Sequence, residues 1–201
     1  MQYRLSLSSK GKFVYYHNAK CGSRSIIHFL KEQTELSQEG TSENHQPVFY
    51  KQDWNDYFQF SFVRNPYGRL LSLFLDKTKK VIGTKWELER YAIYKNNNFK
   101  DFVMNLSIQP WQEHDSHLKL QSDVINLERA VFIGRLENMK THFTYVARIL
   151  GLKDRLKNKP WILPHFNTTE HSGYREYYNK EMIHKVYSIY KEDFERFKYK
   201  F

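Results

Sequence analysis

Residues 57–72 read YFQFSFVRNPYGRLLS, and this stretch decides the fold. Tyr57 to Val63 is a run of aromatic and apolar residues that suits a buried strand. Asn65 and Pro66 then stop it. Asn is a good helix N-cap, and Pro fits the first helical position, where its missing N–H costs nothing. Leu70, Leu71, Phe74 and Leu75 follow at helical spacing. A strand that runs into a capped helix places Arg64 at the strand's carboxyl end. Ligands bind there in open α/β sheets.

The same unit recurs upstream. FVYY at 13–16 is β-prone, and His17 to Ser23 make a tight loop. From Ser25 the pattern turns helical, with Ile26, Ile27, Phe29 and Leu30 on one face. Downstream, Ala130 to Ile133 read as a third, buried strand. It leads into Gly134-Arg135-Leu136-Glu137-Asn138 and a helix that runs to Leu150 and stops at Gly151. Strand–loop–helix units in series predict an α/β fold. No linker interrupts the chain. Residues 1–201 are therefore expected to form a single P-loop-like domain with a central parallel sheet flanked by helices. Residues 33–56 and 107–123 read mostly as loop, 98–106 as helix and 152–180 as basic turns. Residues 180–197 read as an amphipathic helix carrying Ile183, Val186, Tyr187, Tyr190, Phe194 and Phe197.

Composition narrows the partners. The 201 residues carry 32 Lys and Arg against 22 Asp and Glu, a formal charge of +10. Such a surplus points to an anionic partner. The one cysteine, Cys21, excludes an internal disulfide and a Cys-rich zinc site. No apolar run reaches membrane-span length, so no stable membrane insertion is expected. The N-terminus lacks the apolar segment of a signal peptide, and a complete chain of this kind is expected in the cytoplasm.

Two segments carry chemistry. Lys20-Cys21-Gly22-Ser23-Arg24-Ser25 lies between a strand and a helix, where free backbone N–H groups and the helix dipole favour an anion. Gly22 permits close approach, Ser23 and Ser25 offer hydroxyls, and Lys20 adds a charge. The segment is no Walker A loop, because G-x-x-x-x-G-K-[ST] is absent. Arg64 and Ser72 form the second set, a fork and a hydroxyl suited to a phosphate. Taken singly, the first segment also fits a plain capped helix, and Arg64 a structural arginine.

Together the two segments resemble the sulfotransferases that use 3′-phosphoadenylyl sulfate (PAPS), and most closely the carbohydrate branch, sulfotransferase family 2. Lys20, Gly22, Ser23 and Ser25 match that family's Lys-x-Gly-[Ser/Thr]-x-[Ser/Thr] loop for the 5′-phosphosulfate. The resemblance thus makes Lys20 to Ser25, with Cys21 and Arg24 included, donor-binding. Phe62 to Ser72 match its Phe-Val-Arg-[Asp/Asn]-Pro-[Tyr/Phe]-x-Arg-Leu-x-Ser motif, which implies Arg64 and Ser72 as 3′-phosphate ligands. Val131 to Asn138 look like its hydrophobic strand with Gly-Arg-x-Glu. Tyr190-Lys191-Glu192-Asp193-Phe194 look like its closing helix. The likeness spans about residues 12–201. One departure is Ala19, where a proline often precedes the lysine; backbone binding tolerates it.

The resemblance implies transfer of a sulfuryl group from PAPS to a hydroxyl of a carbohydrate-like acceptor, an acidic or neutral glycan or another alcohol, leaving 3′,5′-adenosine bisphosphate (PAP). Lys20 would stabilise the leaving charge. A general base would come from His117, in a segment similar to the family's His-x-x-x-Gln, or from His45, with His17 a further candidate. No metal is expected: His114 and His117 are spaced as ligands but lack a third. Thiol modification of Cys21 is expected to block the donor. An ATP-dependent P-loop kinase-like enzyme would instead need a Walker lysine and an acidic strand end, where this chain has Gly134 and Arg135. A basic nucleic-acid-binding domain would need neither Lys20 nor Arg64 at strand ends, so no nucleic-acid partner is expected.

Overall fold

The computed structural model describes residues 3–36, 38–39, 54–79, 98–106, 117–152 and 173–201. The chain folds as two compact units, each built from two stretches of sequence. Met1–Val63 and Gln121–Phe166 form the first; Arg64–Leu120 and Asn167–Phe201 form the second.

The first unit is an α/β layer. Its strands are β1 (Leu5–Ser8), β2 (Phe13–Tyr16), β3 (Gln38–Glu39), β4 (Phe58–Val63) and β5 (Phe132–Arg135). They form one sheet in the order β3-β1-β2-β4-β5. The pairs β2–β4 and β4–β5 are parallel, with Tyr15 opposite Phe60 and Phe62 opposite Gly134. The pairs β1–β2 and β1–β3 are antiparallel. The expected parallel core is thus present, and a hairpin extends it into a mixed sheet.

β1 is a finding of the structure. Its Leu-Ser-Leu-Ser sequence suggests a strand with one wet face, yet all four residues are buried. The serines tolerate this because each is bonded. Ser6 Oγ lies 2.8 Å from His17 Nε2, and Ser8 Oγ accepts from Gly11 N–H at 2.9 Å.

Helices α1 (Ser23–Gln33) and α4 (Met139–Ile149) cover one face of the sheet. α1 buries Ile26, Phe29 and Leu30, and α4 buries Phe143, Val146 and Ala147. They meet Phe13, Tyr15, Phe60 and Phe62 of the central strands. α4 ends in a Schellman motif: Gly151 at φ 61°, with Leu152 N–H on Ala147 O and Gly151 N–H on Arg148 O, both at 3.0 Å. The third strand begins two residues later than expected. It lies at the sheet edge, so Val131 just before it is 70% exposed.

The second unit is helical. α2 (Pro66–Lys79) opens on Asn65, whose Oδ1 accepts from Tyr67 N–H at 3.1 Å. α3 (Phe99–Met104), α5 (Lys180–Ile189) and α6 (Lys191–Arg196) pack around it. The expected single C-terminal helix is broken at Tyr190, where the backbone leaves the helical region at φ −106°, ψ 23°. The break lets Met182, Val186 and Ile189 of α5 and Phe194 of α6 enter one core with Leu71, Phe74 and Phe102.

Candidate functional site

The first set of candidates lies in the first unit, where β2 hands over to α1. The loop turns on two left-handed residues, Lys20 at φ 67° and Gly22 at φ 83°. Glycine takes that conformation freely, while a lysine there is strained, and such outliers cluster at ligand sites. A Cβ on Gly22 would also stand 2.8 Å from Met139 Cε.

α1 has no side-chain cap, and its first internal bond runs from Ile26 N–H to Gly22 O at 3.1 Å. The amides of Ser23, Arg24 and Ser25 precede that bond and have no partner among the described residues. They sit at the positive end of the helix dipole, and Lys20 stands on the same loop. Amide donors without a partner among the described residues, a dipole and a lysine together suit an anion.

The hydroxyls divide into two roles. Ser23 Oγ donates to Asn18 O at 2.7 Å and accepts from Tyr15 Oη–H at 3.0 Å and from Asn18 N–H at 3.3 Å. One proton and two lone pairs are then all engaged. Ser23 was expected to offer its hydroxyl to a ligand; it staples the loop instead and leaves only its amide. Tyr15 stays a phenol, its pKa raised mainly by burial. Ser25 Oγ is bonded to nothing among the described residues.

Cys21 also departs from expectation. Its side chain has no exposed surface. The thiol lies 3.3 Å from Gln121 Oε1 and 3.5 Å from Ala19 O, and its N–H donates to Asn18 O at 3.3 Å. The thiol and the amide N–H of Cys21 are both engaged within the first unit, and a buried thiol of this kind is inert.

Behind the loop stands a network that sequence reasoning missed. Asn18 is fully buried. Its Nδ2 donates to Phe62 O, near the end of β4, and to Gln121 Oε1, each at 3.1 Å. Turning the amide over would point its oxygen at two acceptors, so the orientation is dictated. Asn18 Oδ1 is left buried without a partner among the described residues. Asn18 and Gln121 lie 103 positions apart, and no local pattern links them.

His17 is committed elsewhere in the first unit. Nε2 pairs with Ser6, and the His17 N–H donates to Arg4 O at 2.8 Å. Burial, and secondly the charge of Arg4, lowers its pKa to about 4. The ring is therefore neutral at ordinary pH.

The second set of candidates lies in the second unit. Arg64 lies two residues before α2 begins and is half-buried. A Cβ on Gly68 would come within 3.3 Å of Arg64 Nε and 3.4 Å of Tyr174 Cδ1. The bare glycine thus leaves room for the guanidinium to lie along the first turn of α2. Ser72 stands one turn further on the same face. It is buried, and its hydroxyl has no hydrogen bond among the described residues. Asn65 braces the wall by donating to Tyr174 Oη at 3.0 Å and to Lys200 O at 2.8 Å. Burial holds the Tyr178 hydroxyl well above its usual pKa, and the charge of Arg64 opposes that shift.

His117 belongs to the second unit and is half-buried, in a turn whose Leu118 and Leu120 enter the helical core. His45 and His114 lie outside the described residues. Among the described residues no three His, Cys, Asp or Glu side chains gather as a metal site, and no helix is long and apolar enough to cross a membrane.

A family model described as the sulfotransferase family matches residues 4–200, nearly the whole chain. No curated protein and no solved structure gives a significant match.

Proposed function

The chain belongs to the sulfotransferase family, and from that premise we propose that it moves a sulfuryl group from PAPS to a hydroxyl of a carbohydrate-like acceptor. The observation that carries the donor assignment is the start of α1. Three amides without a partner among the described residues, and a lysine in a strained turn, suit the two negative groups of a phosphosulfate.

The residues of each motif have the chemistry that donor needs. The amides of Ser23, Arg24 and Ser25 would hold the 5′-phosphate, and Ser25 Oγ is open to add a bond. Lys20 would meet the charge that grows on the phosphate oxygen as the sulfur leaves it. Arg64 and Ser72 would hold the 3′-phosphate, the group that tells this donor from ATP. In the transfer the bond from sulfur to the phosphate oxygen breaks, and a bond from sulfur to the acceptor oxygen forms. The acceptor proton passes to a base, for which His117 is the candidate in the described residues. As in phosphoryl transfer, most of the work is placement and charge stabilisation.

Calorimetric titration with 3′,5′-adenosine bisphosphate, AMP and ATP tests the reading. The bisphosphate should bind with micromolar affinity and the others far more weakly. Arg64→Ala should weaken it about 10- to 100-fold, the worth of one charged hydrogen-bonding group. Equal affinity for all three nucleotides would remove PAPS as the donor.

A further inference from the structure

Two buried side chains of the second unit bind the backbone of the turn that carries His117. Arg69 is 2% exposed, and its Nη1 donates to Lys119 O at 2.8 Å. Tyr190 is equally buried, and its Oη–H donates to Leu118 O at 3.0 Å. Asp193 has no exposed surface and completes the cluster: its charge and that of Arg69 act on the Tyr190 phenol in opposite senses. The break between α5 and α6 falls at Tyr190 itself. Two buried polar side chains thus grip two consecutive carbonyls of one short turn, and the buried Asp193 carboxylate acts on one of them.

That arrangement is costly as packing alone. A buried guanidinium and carboxylate are seldom more stabilising than apolar residues of the same size. The leucines at 118 and 120 already seat the turn in the core. What two hydrogen bonds to adjacent carbonyls add is direction: they stop the turn from rotating about its leucine anchors.

We infer that Arg69 and Tyr190 are positioning residues, a clamp that fixes the orientation of His117 by holding the carbonyls of Leu118 and Lys119. The inference rests on the reading of His117 as the base. It also gives work to Arg69 and Tyr190, to which the phosphate-binding motifs assign no ligand role. Neither side chain touches a reacting atom.

The test uses the full chain labelled with ¹⁵N-histidine, with Tyr190→Phe and Arg69→Met as separate variants. His117 is assigned by the resonance lost in His117→Ala. His17, bonded to Ser6 in the first unit, serves as internal control. Turnover is followed as PAP release from PAPS with water as acceptor: sulfuryl passes to the water oxygen, and the water proton to the base.

The clamp predicts that His117 resonances shift or broaden in both variants while those of His17 do not. It also predicts kcat lower by about 10-fold or more, the scale of small misplacements, with the KM for PAPS unchanged. Unmoved His117 resonances in both variants would overturn it. So would kcat and KM that worsen together with a loss of folded protein, which marks plain structural damage; Tyr190→Phe, lacking one oxygen only, guards against that in Arg69→Met. Wild-type turnover in His117→Ala would remove His117 as base and the clamp's catalytic purpose with it. The resonances would still show whether the clamp orients the ring.

Discussion

At the scale of single residues, the two serines of the anion loop should separate cleanly. Ser23→Ala removes a hydroxyl that three groups use, leaving the Tyr15 phenol buried and unpaired. Urea denaturation should show a loss of about 1–3 kcal/mol. Ser25→Ala should leave stability untouched and weaken bisphosphate binding only. Equal stability of the two variants would refute the division of roles. His17 gives a pH prediction. Its pKa is about 4 in the fold against 6.5 in the open chain, because burial and then Arg4 disfavour the charged ring. Above pH 6.5 neither state binds the proton and the full stability is present. As pH falls towards 4 only the unfolded chain takes it up, and stability is lost across that window by at most roughly 3 kcal/mol. His17→Gln should flatten the urea midpoint between pH 6.5 and 4; an unchanged slope would show that other groups carry the acid sensitivity.

At the scale of elements, Gly134 in β5 is set by its neighbour on β4. A Cβ there would stand 2.4 Å from Phe62 Cε1, a ring already locked in the core. Gly134→Ala should therefore cost about 1–3 kcal/mol by overpacking, read as a lower thermal midpoint. A midpoint equal to wild type would mean the ring can swing aside. The same strands show what could be read beforehand. β2, β4 and the helices after them were legible because apolar runs and an Asn-Pro cap are contiguous signals. β1 was not, because Ser6 and Ser8 read as solvent-facing until their partners are known. The break at Tyr190 was hidden because the helical period of apolar residues runs through it. The site divides likewise. Lys20 to Ser25 and Arg64 to Ser72 are contiguous in sequence and could be found there. Asn18, Gln121 and the clamp on Leu118 and Lys119 are long-range pairings that leave no local trace.

At the scale of the whole molecule, the quantity left to explain is the charge of +10 over 201 residues. One bound nucleotide cannot account for so large a surplus. It acts at a distance, raising the encounter rate of any anion and repelling cations. For the proposed reaction this bears on the acceptor. An acidic glycan should be used with a higher kcat/KM than a neutral one at low ionic strength. That advantage should shrink as salt shortens the screening length from about 30 Å at 0.01 M to about 8 Å at 0.15 M. On the proposed reading the donor is held by direct contacts at Lys20–Ser25 and at Arg64 and Ser72, so its KM should change less over the same range. The measurement is kcat/KM for chemically desulfated heparin, which keeps its carboxylates, and for a neutral polysaccharide, across that salt range. A neutral acceptor used equally well, with no salt dependence, would show that the charge serves the donor or solubility and has no part in choosing the acceptor.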